Sequence, residues 1–270
     1  RGLGDVYKRQ ASQLRRELKR RDAGSQAVQG AALLAGSGVP LTDDRYTALL
    51  KGRLNVVGEG WSGLVGRMAA ALDEVGVLIE ANCNVTSIEH RKVVLDDGRT
   101  FQSDTVILAC GLKQARKLLK FLDDDGTSDV EPVRASTLDV TLSSRPVEAL
   151  HGIVDPAEGA YLVDVANVQP KLGLSGAFLS AVMVERQGES VDDRNHRFDR
   201  FLERHARGWE RHTLHDRRQR NIVVQTSGSK PRFDVHSSHG ILLAGEWVAS
   251  DHSLADAAAQ TGRMCGQHGP

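Results

Sequence analysis

The chain has 270 residues, 40% hydrophobic and 26% charged, with 35 Lys+Arg against 35 Asp+Glu and a formal net charge of zero. That composition is ordinary for one large or two modest folded domains, and its balance gives no global field toward nucleic acid or an anionic membrane. No apolar run approaches the ~20 residues of a membrane-spanning helix, and three cysteines, Cys83, Cys110 and Cys265, with no C-x-x-C pair, fit a reducing compartment without a structural disulfide or zinc knuckle.

The chain opens RGLGDVYKRQ, with no initiator Met and no apolar signal segment. Back-translated, this stretch resembles the end of a transposase-type sequencing adaptor. Residues 1–10 are therefore read as an artefact and the natural N-terminus as missing. Residues 11–55 are expected to be helical and polar, with LRRELKRRD at 14–22 a solvated helix face. In the next stretch Leu64, Val65, Met68, Leu72 and Val75 share one helical face, and Val77–Ile79 reads as a strand. NVTSIEHRKVVLDDGRTFQSDTVILACG predicts short strands with a tight turn at Asp96-Asp97-Gly98. Its continuous apolar run, Val106 to Ala109, suits a strand covered on both faces. A helix around 112–120 and a loop at 123–129 follow. Beyond 130 the pattern alternates: Leu138, Val140 and Leu142, then YLVDVANV and GAFLSAVMVE, read as strands. A helix near 191–208 carries Phe198, Phe201 and Leu202. GILLAGEW is a short buried strand ending in Gly, and SLADAAAQTGRM a helix with Ser253 as its N-cap candidate.

Gly58, Gly60 and Gly63 spell G-x-G-x-x-G ahead of the first helix, and Glu80 ends the strand expected after it. This is the form of a dinucleotide-binding βαβ unit, with glycines for the tight turn and an acid for the ribose. An NAD(P)-dependent reductase is the alternative that this loop supports. Trp61 stands against it, because it occupies the helix entry that a pyrophosphate must approach closely.

Two stretches carry a more specific pattern. GEGWSGLVGRMAAALDEVGVLIEANCNVTSIEHRKVVLDDGRTFQSDTVILACG resembles the middle of FAD-dependent oxidoreductases of the flavin-containing amine oxidase and phytoene dehydrogenase-like superfamily. GILLAGEWVASDHSLADAAAQTGRM resembles that family's closing flavin-binding motif. The resemblance implies an α/β fold: a Rossmann-like FAD/NAD(P)-binding domain, incomplete because its first βαβ unit is missing, with an inserted α+β substrate domain. The expected divisions are 11–55 (helical part of the substrate domain), 56–129 (middle of the FAD domain), 130–235 (substrate domain) and 236–270 (end of the FAD domain). It implies non-covalent FAD. Val85 would contact the adenine end through its backbone, and Ala109, Cys110 and Gly111 would lie beside the ADP half. Gly245 would let the backbone approach the cofactor, and Glu246 would accept hydrogen bonds from ribityl hydroxyls; Trp61 and Trp247 read separately as pocket walls near the flavin or as ordinary core, with the pocket favoured for Trp247 because it adjoins Glu246. The N-terminus of the last helix, at Leu254 and Ala255, would face flavin C2 and N1. The chemistry implied is hydride transfer from a substrate C–H or C–N bond to flavin N5, with the isolated fragment inactive. The family's N-terminal G-x-G-x-x-G and acid are absent from 11–57.

The remaining candidates give less. His212/His215 and His236/His239 are spaced H-x-x-H, but Arg crowds the first pair, and no metal site is assigned. The Arg/His run at 203–220 reads as solvated surface, with no nucleic-acid partner. Cys110 follows a buried strand and has no evident His partner, so it is not taken as a nucleophile. Lys230 and Lys171 are available near a flavin, and neither matches a motif. The partner expected is a small, apolar-leaning substrate; an aromatic content of 4% argues against a paired-tyrosine amine cage. A cytoplasmic location is expected, with peripheral membrane attachment as the alternative. A non-catalytic carrier of related fold, binding prenylated partners, is the competing class, opposed by the intact flavin-type tail.

Overall fold

The computed structural model describes residues 57–89, 91–145, 153–155, 158, 160–168, 176–186, 188–252 and 254–268. The expectations for residues 1–10 and 11–55, and those for Lys171 and Ser253, lie outside them. In chain order the elements are α1 (Gly60–Glu74), β1 (Val85–Glu89), β2 (Lys92–Leu95), β3 (Thr100–Gln102), β4 (Val106–Leu108), α2 (Leu112–Leu118), β5 (Val130–Leu142), β6 (Ile153–Asp155), β7 (Ala160–Asp164), the single turn α3 (Val165–Val168), β8 (Ala177–Val184), α4 (Val191–His205), β9 (Thr213–Gly228), β10 (Ile241–Leu243) and α5 (Leu254–His268). The chain divides into two units: residues up to 77 with 134–223, and residues 78–133 with 224–270.

The first unit is built on a five-stranded sheet of order β6-β7-β8-β5-β9. Period-two alternation creates its core: Leu138, Val140 and Leu142 on β5 and Leu179, Ala181 and Met183 on β8 all turn to one side and are buried. Helix α4 covers that side with Phe198, Phe201 and Leu202, spaced to share one face. The helix begins where Ser190 Oγ accepts the Asp193 N–H at 3.1 Å, and Asp192 and Asp193 in its first turn suit the positive end of the dipole. Arg204 and His205 suit the other end. Buried Arg197 is held by the Val184 carbonyl at 2.7 Å and by Glu189 at 3.2 Å. Burial pulls its guanidinium pKa down, and Glu189 partly offsets this. The basic run 204–220 spans the end of α4 and half of β9, an edge strand; charges along an edge discourage pairing with another chain.

The segment YLVDVANV divides. Residues 160–164 form β7, and 165–168 close into a helical turn instead of continuing the strand. Asp164 explains the switch: its buried carboxylate accepts the Ala166 N–H at 3.1 Å and the Phe178 N–H at 3.2 Å, and Arg145 approaches it at 3.4 Å. Helix α1 forms as its periodicity predicts, but its apolar face is open among the described residues, with Trp61 64% and Val65 62% exposed. Val77–Ile79 is not a strand. It is irregular and exposed, the Val77 N–H turns back to the Leu72 carbonyl at 2.9 Å, and no described segment offers it the ladder of hydrogen bonds a strand requires.

The second unit contains the antiparallel sheet β1-β2-β3 and the parallel pair β4·β10. The turn at 95–99 closes with Leu95 N–H on Arg99 O at 2.9 Å and Gly98 N–H on Leu95 O at 3.2 Å. Arg99 clamps Asp97 at 2.7 Å and Glu80 at 3.2 Å; the Arg99 backbone N–H, 2.9 Å from Asp97 Oδ1, and then its guanidinium hold the Asp97 carboxyl below the usual carboxylate range. The core joins Ile88, Leu108, Leu112, Leu119, Ile241 and Trp247, among others. Arg116 ties the 123–129 loop down, reaching Thr127 Oγ1 at 3.0 Å, Thr127 O at 2.6 Å and Val130 O at 2.7 Å. Gly228 ends β9 at φ 88°, where a side chain would run into the Asp129 carbonyl oxygen.

Candidate functional site

All nine residues proposed to meet a cofactor belong to the second unit. Their frame is the parallel pair β4·β10, in register Val106↔Ile241 to Leu108↔Leu243. Parallel strands place both C-terminal ends on one side, and Ala109-Cys110-Gly111 leaves beside Ala244-Gly245-Glu246-Trp247. Ala244 N–H on Leu108 O at 2.9 Å extends the pairing past the strands. The ends of parallel strands, where chains turn into helices, are where open α/β sheets hold ligands. Gly111 opens α2 with no side-chain cap, and nothing stands within 4 Å of where its Cβ would be.

The turn after β10 is fixed from two directions. Trp247 Nε1–H donates to the Cys110 carbonyl at 2.9 Å, joining the two turns. The indole is 2% exposed and packs into the core, as the alternative to a pocket-lining role has it. From the other direction, Thr261 of α5 accepts the Gly245 N–H at 3.0 Å and donates to the Ala257 carbonyl at 2.8 Å. Gly245 is held at φ 150°, and a Cβ there would come within 2.7 Å of Trp247 Nε1.

Glu246 is set by Thr226 and Lys230, of which the sequence named only Lys230. Its Oε2 accepts from Thr226 N–H at 3.1 Å and Thr226 Oγ1 at 2.9 Å, with Lys230 Nζ at 3.4 Å. Lys230 also donates to the Glu246 main-chain carbonyl. Oε1 takes no donor among the described residues. Lys230 matches no motif, and Thr226 on β9 and Thr261 on α5, the latter inside the closing stretch, carry no signal that sets them apart from the rest of their elements. Only the GEW pattern after a buried strand marks this corner of the molecule.

The other predicted residues are less gathered. The Val85 carbonyl accepts from Gln114 Nε2 at 3.2 Å, which ties β1 to α2. Leu254 and Ala255 open α5 in exposed positions, with Leu254 at φ 54° and the carboxylate of Asp256 in the same first turn. Burial pushes the Cys110 thiol up, which suits a structural role. The Gly58-Gly60-Gly63 loop does open a helix, but Glu80 is paired to Arg99 and ends no strand, so the described residues do not complete a βαβ unit around it. His236 Nε2 lies 3.0 Å from the Asp125 carbonyl and packs the 123–129 loop.

The sequence pattern of the family described as FAD dependent oxidoreductase matches residues 6–253. Among solved structures, an oxidoreductase from Methanosarcina mazei is similar at 16% identity and a TM-score of 0.61, over 78% of this chain and 55% of that one. A Pyrococcus furiosus protein aligns at 17% identity and a TM-score of 0.58, over 80% of this chain and 52% of that one. A protein from Exiguobacterium sp., named for protoporphyrinogen oxidase activity, aligns at 16% identity and a TM-score of 0.57, over 88% and 57%. The chain thus spans about half the length of these structures. No curated protein matches the sequence significantly. Among the described residues, no helix is long and apolar enough to cross a membrane.

Proposed function

The chain belongs to the FAD dependent oxidoreductase family, and from that premise we propose that it is part of a flavoenzyme of the amine oxidase and phytoene dehydrogenase-like branch, acting on a small molecule. The observation that carries the reading is the Gly245-Glu246 turn at the end of β10, beside the end of β4. There one Glu246 carboxylate oxygen is anchored while the other takes no donor among the described residues, and at the neighbouring strand end Gly111 has open space where a Cβ would stand. Those features fit a ligand that carries hydroxyls and needs close backbone contact. FAD, held without a covalent bond, would supply N5 as the acceptor of a hydride from a substrate C–H or C–N bond.

In this reading Glu246 Oε1 accepts the ribityl hydroxyls, with Thr226 and Lys230 fixing its rotamer. Val85 serves the adenine end, and Ala109, Cys110 and Gly111 the ADP half, through their backbones. Trp247 holds the two turns together from below. The first turn of α5, at Leu254 and Ala255, presents free N–H groups and a positive dipole end worth about 0.3–2 kcal/mol toward a negatively charged ring. Asp256 in that turn opposes it. We assign no catalytic acid or base. The second unit is the FAD-binding part and the first unit the substrate part.

One titration tests this: FAD should bind and be retained through gel filtration, and Glu246→Ala should lose it. A folded protein that stays colourless ends the flavoenzyme reading.

A further inference from the structure

Charge is unevenly placed along this balanced chain. Residues 194–220 hold nine arginines, no lysine and four acids, whereas 121–133 hold five acids and no Lys, Arg or His. Part of the basic excess is neutralised within the first unit. Arg194 and Arg197 pair with Glu185 and Glu189, and Arg218 bridges Asp199 and Asp216. Arg200 on α4, Arg211 in the turn after it and Arg220 on β9 are exposed and have no carboxylate partner among the described residues. Arg204 stands one turn beyond Arg200 on the exposed side of the helix. Arg218 reaches Asp199 of α4, so Leu214, four residues earlier on the alternating strand, lies on that side too, and it is 59% exposed. The outer face of α4 is thus a set of guanidinium groups beside one exposed leucine.

The acidic stretch has the opposite make-up. Asp123, Asp124, Asp129 and Glu131 are exposed, and none is ion-paired among the described residues. Its backbone is fixed. Arg116 holds the Thr127 and Val130 carbonyls, the Asp124 and Asp125 carboxylates accept the Gly126 and Thr127 N–H groups at 2.8 Å each, and His236 meets the Asp125 carbonyl. A segment ordered beforehand loses little freedom on docking. Phe121, 46% exposed, opens the stretch.

We propose that the Arg200–Arg211 face of one copy docks the 121–131 stretch of a second copy, with carboxylates on guanidinium forks and Phe121 against Leu214. Nine arginines against four acids leave an excess of five, the number of acids in the stretch that would meet them. A guanidinium grips a carboxylate through two parallel hydrogen bonds, which a lysine cannot do, and 194–220 holds no lysine. A nucleic acid or an anionic membrane calls for a face of one sign, and Glu203, Glu210 and Asp216 interrupt this one. A partner with a few discrete carboxylates and an apolar anchor fits the interrupted pattern. The charges that keep β9 from pairing edge to edge do not oppose this contact, which runs through side chains. The contact needs no flavin.

Sedimentation velocity over a range of concentrations tests the proposal on the chain as it exists. In about 20 mM salt the sedimentation coefficient should rise with concentration, and about 300 mM salt should weaken the association at least about tenfold. Arg200→Glu with Arg211→Glu, and separately Asp123→Lys with Glu131→Lys, should each stay monomeric. None of these four side chains holds another group among the described residues, so both variants should keep the wild-type circular dichroism. An equimolar mixture of the two should sediment as a dimer, because each keeps the patch that the other has lost. Misfolding cannot imitate that rescue. A wild-type chain that stays monomeric in low salt, or associates equally in both salts, overturns the proposal. So does either variant that still associates alone, or a mixture of folded variants that stays monomeric. A wild-type monomer that co-sediments with phosphatidylglycerol vesicles or a single-stranded oligonucleotide assigns the face to that partner and overturns the second copy.

Discussion

Single residues set the geometry of the β10 turn. Alanine at Gly245 must either displace the Trp247 indole from the Cys110 carbonyl or twist the backbone away from φ 150°. Gly245→Ala should lower stability by about 1–3 kcal/mol, seen as a drop in Tm. Lys230 contributes charge and a main-chain hydrogen bond to Glu246. Lys230→Met should weaken FAD binding by on the order of tenfold, about 1.4 kcal/mol, with Lys230→Arg recovering part of the loss. The thiols of Cys110 and Cys265 are both raised by burial. A raised folded value means that the thiol form stabilises the fold below the unfolded pKa of about 8.5, and that this contribution fades as pH climbs through the folded value. Iodoacetamide at pH 8.5 should therefore alkylate Cys110 more slowly in the native chain than in urea; equal rates would contradict the burial argument.

At the level of elements, the strongest joint is between α5 and the turn it supports. Thr261 accepts Gly245 N–H inside the core, so Thr261→Val strands a buried donor and should cost about 1–3 kcal/mol. Faster hydrogen exchange at the Gly245 amide would locate the damage. Elements whose neighbours supply a periodic apolar face were legible in the sequence: β5 and β8 by alternation, α4 by Phe198, Phe201 and Leu202, and β10 by its run into Gly245. Val77–Ile79 was not, because an apolar tripeptide becomes a strand only beside a partner, and pairing is not written in the segment itself. The turn at 165–168 was missed because its cause is one side chain, Asp164, collecting amide groups from 14 residues away. The candidate site divided in the same way. Gly245 and Glu246 were readable from their place after a buried strand, whereas Thr226, Lys230 and Thr261 reach the site only through folding.

For the whole molecule, the two hydrophobic clusters share no residue. Leu138→Ala in one and Ile88→Ala in the other should each cost about 2–5 kcal/mol, and the double variant should equal their sum within about 0.5 kcal/mol. A larger discrepancy in denaturant titrations would mean that the two cores are energetically coupled. The second unit is made from two stretches of chain with most of the first unit between them. Strand β4 therefore leaves the ribosome well before β10, its sheet neighbour among the described residues. At about 5–20 residues per second, its apolar edge goes unpaired for on the order of ten seconds while the five-stranded sheet is being made. In a growing cell that interval is an opening for chaperones. It also makes the yield of this protein depend on translation speed, and on whatever shields Val106, Ile107 and Leu108 until the last strand arrives.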